Sequence, residues 1–177
     1  RTVEHALAGQ GAPVVVFENG LGASLDWWAK VWPDTVQETT ALAYNRAGYG
    51  HSEASPGPRD GAHVVEELRA LLQARKLPPP YVLVGHSLGG YLALAYAATR
   101  PGVPRAIVVI NTGPGYRDPD KREAWNERSR RNAHRFGVPV QAANLNLQED
   151  SVVMDRLADI ATPTLVLAGE LDRADYT

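Results

Sequence analysis

The chain of 177 residues has no cysteine, no apolar run long enough to span a bilayer, and no large excess of charge. Without cysteine it has no disulfide, no thiol nucleophile and no thiolate metal site, and we expect a cytoplasmic location. The formal net charge is only −2, so no overall field favours nucleic acid or an anionic membrane as a partner.

Several ligand-binding fingerprints are also missing from the sequence. It contains no phosphate loop, no dinucleotide fingerprint, no paired carboxylates at fixed separation and no metal-ligand cluster. We therefore expect neither a cofactor nor a metal.

Apolar strands alternate with helical segments along the chain. The pattern predicts strands near residues 2–7, 13–18, 39–45, 81–85, 105–110 and 163–168, and helices near 26–37, 60–76 and 87–100. This alternation is typical of an α/β protein with a mostly parallel sheet and helices on both faces.

A glycine-flanked serine lies between one predicted strand and the helix that follows it, in the sequence Gly85-His86-Ser87-Leu88-Gly89. A sharp turn at this point strains the backbone at Ser87, and Gly85 and Gly89 remove side chains that would collide there. The turn presents the serine hydroxyl above the sheet, and the amide of Leu88 at the helix N-terminus can donate to an oxyanion. The alternative is a purely structural glycine-rich turn.

In this setting the turn resembles the nucleophile elbow of the α/β-hydrolase superfamily. Three further segments are similar to that family: Glu18 to Ser24, Tyr44 to Ser52, and Pro163 to Asp172. The resemblance implies that Ser87 is the nucleophile. It also implies that the amide of Leu21, after Gly20, is the second oxyanion donor.

The same resemblance makes Asp172 the triad acid, in preference to Glu170 or Asp175. Two positions depart from the family pattern: Asn19 stands where histidine is common, and Asn45 stands where aspartate is usual. We assign residues 44–52 an architectural role and no chemistry.

The family's chain order is nucleophile, acid and then histidine, but no histidine follows His134 in this sequence. We therefore expect the 177 residues to be truncated before the family's last strand and helix, or to lack an internal piece near 140–150. An apolar strand at 164–168 without a further neighbour supports the first interpretation, because natural sheets avoid such edges. We expect these residues alone to be inactive or weakly active.

Each of the five histidines in the sequence has a simpler interpretation than that of the catalytic base. His5 lies in the leading strand, His51 in the architectural loop, His63 in the first turn of a helix, and His86 beside the nucleophile. His134 belongs to an arginine-rich segment and is the alternative base.

After Ile110 the sequence becomes more polar, and the regular alternation of apolar strands and helices ends. The resemblance implies a division into core residues 1–112, a small helical cap or lid insertion at 113–160, and a core strand with the acid-bearing turn at 161–177. Within the cap, residues 121–135 carry six basic and two acidic side chains. The alternative is an ordinary solvated helix face.

Trp27, Trp28 and Tyr116 are candidates for lining the acyl pocket. For the two tryptophans, packing in the core is the alternative role.

Together these features predict a serine hydrolase that cleaves a small carboxylic ester or lactone, uncharged or weakly charged, through an acyl-enzyme on Ser87. The partner is then a small-molecule acyl substrate. Thioesterase, acyltransferase and carbon–carbon bond hydrolase branches stay open, as does a non-catalytic ligand-binding or interaction protein of the same fold. The oligomeric state is not predicted.

Overall fold

The computed structural model describes residues 1–143 and 147–170, which form a single sheet flanked by helices. The strands are β1 (His5–Ala8), β2 (Val14–Glu18), β3 (Ala41–Tyr44), β4 (Tyr81–His86), β5 (Pro104–Ile110) and β6 (Thr164–Leu167). The helices are α1 (Trp32–Glu38), α2 (Gly61–Ala74), α3 (Leu88–Thr99), α4 (Pro119–Asn132) and α5 (Val152–Arg156).

The strand order across the sheet is β1-β3-β2-β4-β5-β6. All neighbouring pairs are parallel except β1 and β3, which are antiparallel. The predicted mostly parallel α/β sheet is therefore confirmed.

Helices cover both faces of this sheet. Alternate residues of each strand point to opposite faces, and both sets are apolar in the central strands. On one face Val16, Leu42 and Leu83 pack with the apolar stripe of α2 and with α3, which is buried along almost its whole length. On the other face Phe17 packs with Trp28 and with residues of α1. The two covered faces explain why the central strands are apolar throughout rather than alternating.

The predicted single helix at 26–37 is wrong. A short 3-10 helix runs from Leu25 to Trp28, and α1 begins separately at Trp32. Pro33 lies in the first turn of α1, where its missing N–H and fixed φ are tolerated, whereas in a helix interior they would break a hydrogen bond. Proline thus starts a new helix instead of continuing the old one.

Strand β6 lies at one edge of the described sheet and pairs with β5. Its residues Leu165, Val166 and Leu167 are 54%, 61% and 45% exposed. Among the described residues, no helix combines the length and apolar character needed to cross a bilayer. The division into core, cap and terminal core strand stays a prediction, as does the cytoplasmic location.

Candidate active site

The carboxyl ends of four parallel strands meet at one edge of the sheet. Glu18 at the end of β2 is opposite Gly85, and His86 at the end of β4 is opposite Ile110, which in turn is opposite Leu167 of β6. The loops that leave these strands are therefore neighbours, which is where α/β sheets commonly bind their ligands.

Ser87 occupies the turn between β4 and α3 with φ 53° and ψ −120°. A positive φ is strained for a residue with a side chain, and such strain persists only where the surroundings enforce it. Here the Ser87 amide donates to the carbonyl oxygen of Ile110 at 2.8 Å, and its own carbonyl accepts from the Gly90 amide at 2.9 Å. The neighbouring strand and the first turn of α3 thus hold the serine from both sides.

Close approach of backbones at this turn explains two of the glycines. A Cβ on Gly85 would collide with the backbone of Gly89. A Cβ on Gly89 would in turn collide with the carbonyl of Glu18, at the start of the loop after β2. The turn therefore lies directly against that loop, and a side chain at Gly20 would meet the ring of His86 at 3.0 Å.

Arg46 fixes the orientation of the loop after β2. Its guanidinium donates to the carbonyl oxygens of Asn19 at 2.6 Å and Gly20 at 2.7 Å. In a trans peptide unit the C=O and the following N–H point in opposite directions. Because the Gly20 carbonyl faces Arg46, the amide N–H of Leu21 faces away from it, and Leu21 lies in the wall of the cavity beside Ser87.

The amides of Leu21 and Leu88 have no hydrogen-bond acceptor among the described residues. The first N–H groups of any helix lack intrahelical acceptors, and Leu88 begins α3. In the described structure the two predicted oxyanion-hole donors are therefore free to bind a ligand. The Leu21 amide belongs to the loop after β2, and the Leu88 amide to the start of α3.

A buried polar cluster supports Arg46 and was missed by the sequence interpretation, which gave residues 44–52 no role in the chemistry. Glu18 lies 3.6 Å from the Arg46 guanidinium and accepts a hydrogen bond from the Tyr44 hydroxyl. Burial raises the pKa of Glu18, while Arg46 opposes that rise. The signal in the sequence was a glutamate at the end of one apolar strand and an arginine just after another, because buried charges need a partner of opposite sign.

Asn19 connects the same loop to the aromatic core. Its Oδ1 accepts from Trp28 Nε1 at 2.6 Å, and its Nδ2 donates to the Tyr44 carbonyl at 2.8 Å. The substitution of asparagine for the more common histidine therefore produces a side chain bonded at both ends, while the backbone donor at Leu21 is left available.

Two cavities meet at Ser87. The larger has a volume of about 460 Å³, within the range typical of small-molecule sites. The smaller has a volume of about 60 Å³. The larger is walled by the loop after β2, the serine turn, and one face of α4 with the turn that follows it: Gly20, Leu21, Ala23, Trp27, His86, Ser87, Leu88, Trp125, Arg128, Ser129, Asn132, Arg135 and Phe136.

The three aromatic residues predicted for the acyl pocket take different positions. Trp27 is 68% exposed and lines the larger cavity, and Tyr116 lines the smaller one. Trp28 is 8% exposed and stacks on Phe17 with ring centroids 4.7 Å apart. It lines neither cavity at Ser87 but a separate space of about 200 Å³ next to it.

Of the five histidines, all within the described residues, only His86 lines a cavity at Ser87, where its ring faces Trp27 at 6.1 Å. His51 is bonded to Glu4 and His63 to Asp60, and His5 to the carbonyl of Val3. His134 is exposed and lies outside the wall that its neighbours Asn132 and Arg135 form.

Asp172 lies outside the described residues, as does Asp175. The last described residues, after β6, leave the sheet at the edge where Ser87 lies. Asn111 donates its amide to the Leu167 carbonyl at 2.8 Å and accepts from the Gly169 amide through Oδ1 at 2.9 Å. These two bonds fix the exit of β6 beside the end of β5.

No group of three or more histidine, aspartate or glutamate side chains in the described part of the chain is arranged to hold a metal ion.

Comparison with known proteins relates this geometry to one family. The family model described as alpha/beta hydrolase fold matches residues 13–137. RutD of Pseudomonas syringae pv. syringae, provisionally named a carbamate hydrolase, is 34% identical over 108 residues, covering 60% of this chain and 41% of that protein. The chain spans about a third to two fifths of the length of four bacterial relatives that it matches, RutD among them.

Solved structures share the fold at lower identity. An esterase from Thermogutta terrifontis superposes with a TM-score of 0.74 at 21% identity, covering 96% of this chain and 75% of that one. The enol-lactonase from Burkholderia xenovorans gives a TM-score of 0.67 at 20% identity, covering 95% of this chain and 78% of that one.

Proposed function

The chain belongs to the alpha/beta hydrolase fold family, and on that premise we propose that it is a serine hydrolase cleaving a small carboxylic ester or lactone. One observation carries the proposal: a strained serine lines a cavity of about 460 Å³ together with Leu21 and Leu88, whose amides have no acceptor among the described residues. Preorganised donors of this kind are usually the largest contribution to acyl-transfer catalysis.

In the proposed reaction the Ser87 hydroxyl oxygen attacks the carbonyl carbon of the substrate, and its proton passes to a histidine base. The amides of Leu21 and Leu88 stabilise the oxyanion that forms. Collapse of the tetrahedral intermediate breaks the bond to the leaving oxygen, which takes the proton back from the histidine, and leaves the acyl group on Ser87; an ester loses its alcohol, and a lactone opens. A water molecule, deprotonated by the same base, then attacks the acyl group and releases the acid, and the proton returns to the Ser87 oxygen. Asp172 orients the base and favours its charged form.

We assign the base to none of the five histidines in these 177 residues. Four of them lie away from the cavities at Ser87, and the ring of His86 stacks against Trp27. The family's chain order puts the base after the acid. These residues alone should therefore turn over esters near the background rate.

Chemical rescue tests this assignment, because the cavity has room for a small added base. Imidazole at millimolar concentration should increase hydrolysis of p-nitrophenyl acetate by the 177-residue protein and should give an acetyl adduct on Ser87 by peptide mass spectrometry. Ser87→Ala should show neither effect. Equal rescue in both proteins, or an adduct on another residue, contradicts the proposed nucleophile.

Carbamates are the second substrate class to test, since RutD, the relative described above, carries that name. A p-nitrophenyl carbamate under the same rescue conditions should acylate Ser87 more slowly than the ester, because nitrogen donation makes the carbonyl less electrophilic. Faster acylation by the carbamate would make carbamates, and not esters, the preferred substrate class.

A non-catalytic ligand-binding protein of the same fold is the competing function. It is favoured by the position of the histidines, of which only His86 lines a cavity at Ser87. It predicts binding of acyl compounds without an adduct on Ser87, with or without imidazole.

A further inference from the structure

Two arginines line the cavity at Ser87 without an acidic partner. Arg128 is on α4, and Arg135 is in the turn that follows this helix. In the part of the chain that the structure describes, neither guanidinium lies within ion-pair distance of a carboxylate. Among the described residues that line the cavity, none is aspartate or glutamate.

The two glutamates of α4 are paired with other arginines. Glu123 pairs with Arg130 at 2.5 Å, and Glu127 pairs with Arg131 at 3.4 Å. The ion pairs of the helix thus form between residues outside the cavity wall.

Helical spacing explains why Arg128 is directed to the cavity. Trp125, Arg128, Ser129 and Asn132 are three, four and seven residues apart and share one face of α4, and all four line the cavity. Arg130 and Arg131 lie on other faces of the same helix. In the second half of α4, Arg128 therefore lines the cavity while Arg130 and Arg131 form ion pairs.

The arginines are also the strongest donors available in this wall. Ser129 already donates its hydroxyl to the Trp125 carbonyl at 2.9 Å, and Asn132 donates its Nδ2 to the Arg128 carbonyl at 2.8 Å. Two uncompensated positive charges in a concave wall attract anions, and the planar guanidinium binds a carboxylate through two parallel hydrogen bonds.

We propose that Arg128 and Arg135 form a carboxylate-binding subsite, and that the substrate carries a carboxylate remote from the bond that is cleaved. The second half of this statement rests on the proposed hydrolase function, whereas anion binding at the subsite does not. The proposed substrate therefore carries a single negative charge, whereas the sequence led us to expect an uncharged or weakly charged one.

Binding is measured on the Ser87→Ala protein, so that the result does not depend on turnover. Calorimetric titration with succinate at low ionic strength should detect binding that weakens as KCl is added, because the contact is between charges. Arg128→Gln and Arg135→Gln should each lower the affinity about tenfold, the effect expected from loss of one charge-assisted contact.

Arg131→Gln is the matched control, since Arg131 lies on the same helix and pairs with Glu127 outside the cavity wall. It should leave succinate binding unchanged. Three outcomes overturn the subsite: succinamide binds as tightly as succinate, inorganic phosphate binds more tightly than succinate, or Arg131→Gln lowers the affinity as much as Arg128→Gln.

The substrate half is tested with two esters of one leaving group, p-nitrophenyl acetate and mono-p-nitrophenyl succinate, under imidazole rescue. The ratio of their kcat/KM values should favour the succinate ester, and Arg128→Gln should reduce that ratio about tenfold. An unchanged ratio overturns the assigned substrate class. Absence of Ser87-dependent hydrolysis of both esters, with succinate binding intact, contradicts the hydrolase and leaves the subsite standing.

Discussion

Arg46 is the single residue with the most direct effect on the oxyanion loop, because its guanidinium holds the carbonyls of Asn19 and Gly20 from behind. Lysine in its place would keep the positive charge beside Glu18 but lose the second hydrogen bond. The peptide unit between Gly20 and Leu21 would then be held by fewer contacts, and the Leu21 donor would be less well oriented.

We therefore expect Arg46→Lys to lower kcat for Ser87-dependent ester hydrolysis by at least about tenfold, a smaller loss than that for deleting an oxyanion donor. KM should change little, since the donor acts mainly on the transition state. Steady-state kinetics under imidazole rescue measure both constants.

Arg59→Lys is the control for this variant. Arg59 is equally buried and pairs with Glu67 at 2.8 Å, and it makes no hydrogen bond to the loop after β2 among the described residues. Its replacement should affect stability without lowering kcat. An equal loss of kcat in both variants would show that the effect of Arg46 is general destabilisation.

Between elements, the carboxylate of Glu4 joins the segment before β1 to the loop after β3. It accepts from the His51 amide at 2.8 Å, from His51 Nδ1 at 2.8 Å and from Asn45 Nδ2 at 2.6 Å. These bonds, led by the His51 amide, lower the pKa of Glu4 to about 2, and Glu4 in turn raises the pKa of His51.

The sign of each shift defines a pH window. A lowered carboxyl pKa stabilises the fold above the unfolded value of 4.5, and this contribution is lost as the pH falls towards about 2. A raised histidine pKa stabilises the fold below the unfolded value of 6.5 and is lost as the pH rises through the folded value. The pair is therefore fully effective between pH 4.5 and 6.5.

Glu4→Gln should lower the free energy of unfolding most at about pH 5.5 and progressively less towards pH 2, as measured by urea denaturation. In NMR titrations the pKa of His51 should return to the ordinary histidine range in this variant. Glu38→Gln, an exposed position at the end of α1, should change neither quantity. A pH-independent loss of stability in Glu4→Gln would contradict the ionic origin of the effect.

The elements that local pattern defines were predicted well, and those that depend on distant contacts were not. Strand β4 and helix α3 begin and end within one residue of their predicted limits, because a buried apolar run and a small-residue helix are both local signals. The placement of Ser87 in the turn between them follows from the same signals. The predicted helix at 26–37 failed because Pro33 suits a helix start as well as a helix break.

Long-range contacts explain what the sequence did not indicate about the site. Arg46 reaches the carbonyl of Asn19 across 27 positions, and no periodicity reports such a contact. Likewise, residues 121–135 were visibly basic, but only the packing of α4 over the loop after β2 shows that Arg128 lines the cavity while Arg130 does not. Directions of side chains between packed elements are set by tertiary structure.

At the scale of the whole molecule, the distribution of charge says more than its sum. The net charge is −2, yet the described residues that wall the larger cavity at Ser87 include two arginines and no acid. Attraction of an anion is therefore a local property of this wall and does not follow from the total charge. The total charge therefore does not describe the substrate, and the prediction that nucleic acid is not a partner stays a prediction.

The described sheet has an apolar strand at one edge. Both faces of β6 are exposed, and its outer side has no strand partner in the described sheet. An apolar edge strand is a template for pairing with another chain. We therefore expect the 177-residue protein to self-associate through β6 as its concentration rises.

Val166→Lys should suppress this association, because a charge on an edge strand opposes edge-to-edge pairing. Static light scattering over a concentration series should then give the mass of a single chain for Val166→Lys and a rising average mass for the unaltered protein. Val140→Lys is the matched control, since Val140 is 93% exposed but lies outside the sheet. If Val140→Lys suppressed association as strongly as Val166→Lys, general surface charge and not the β6 edge would be the cause.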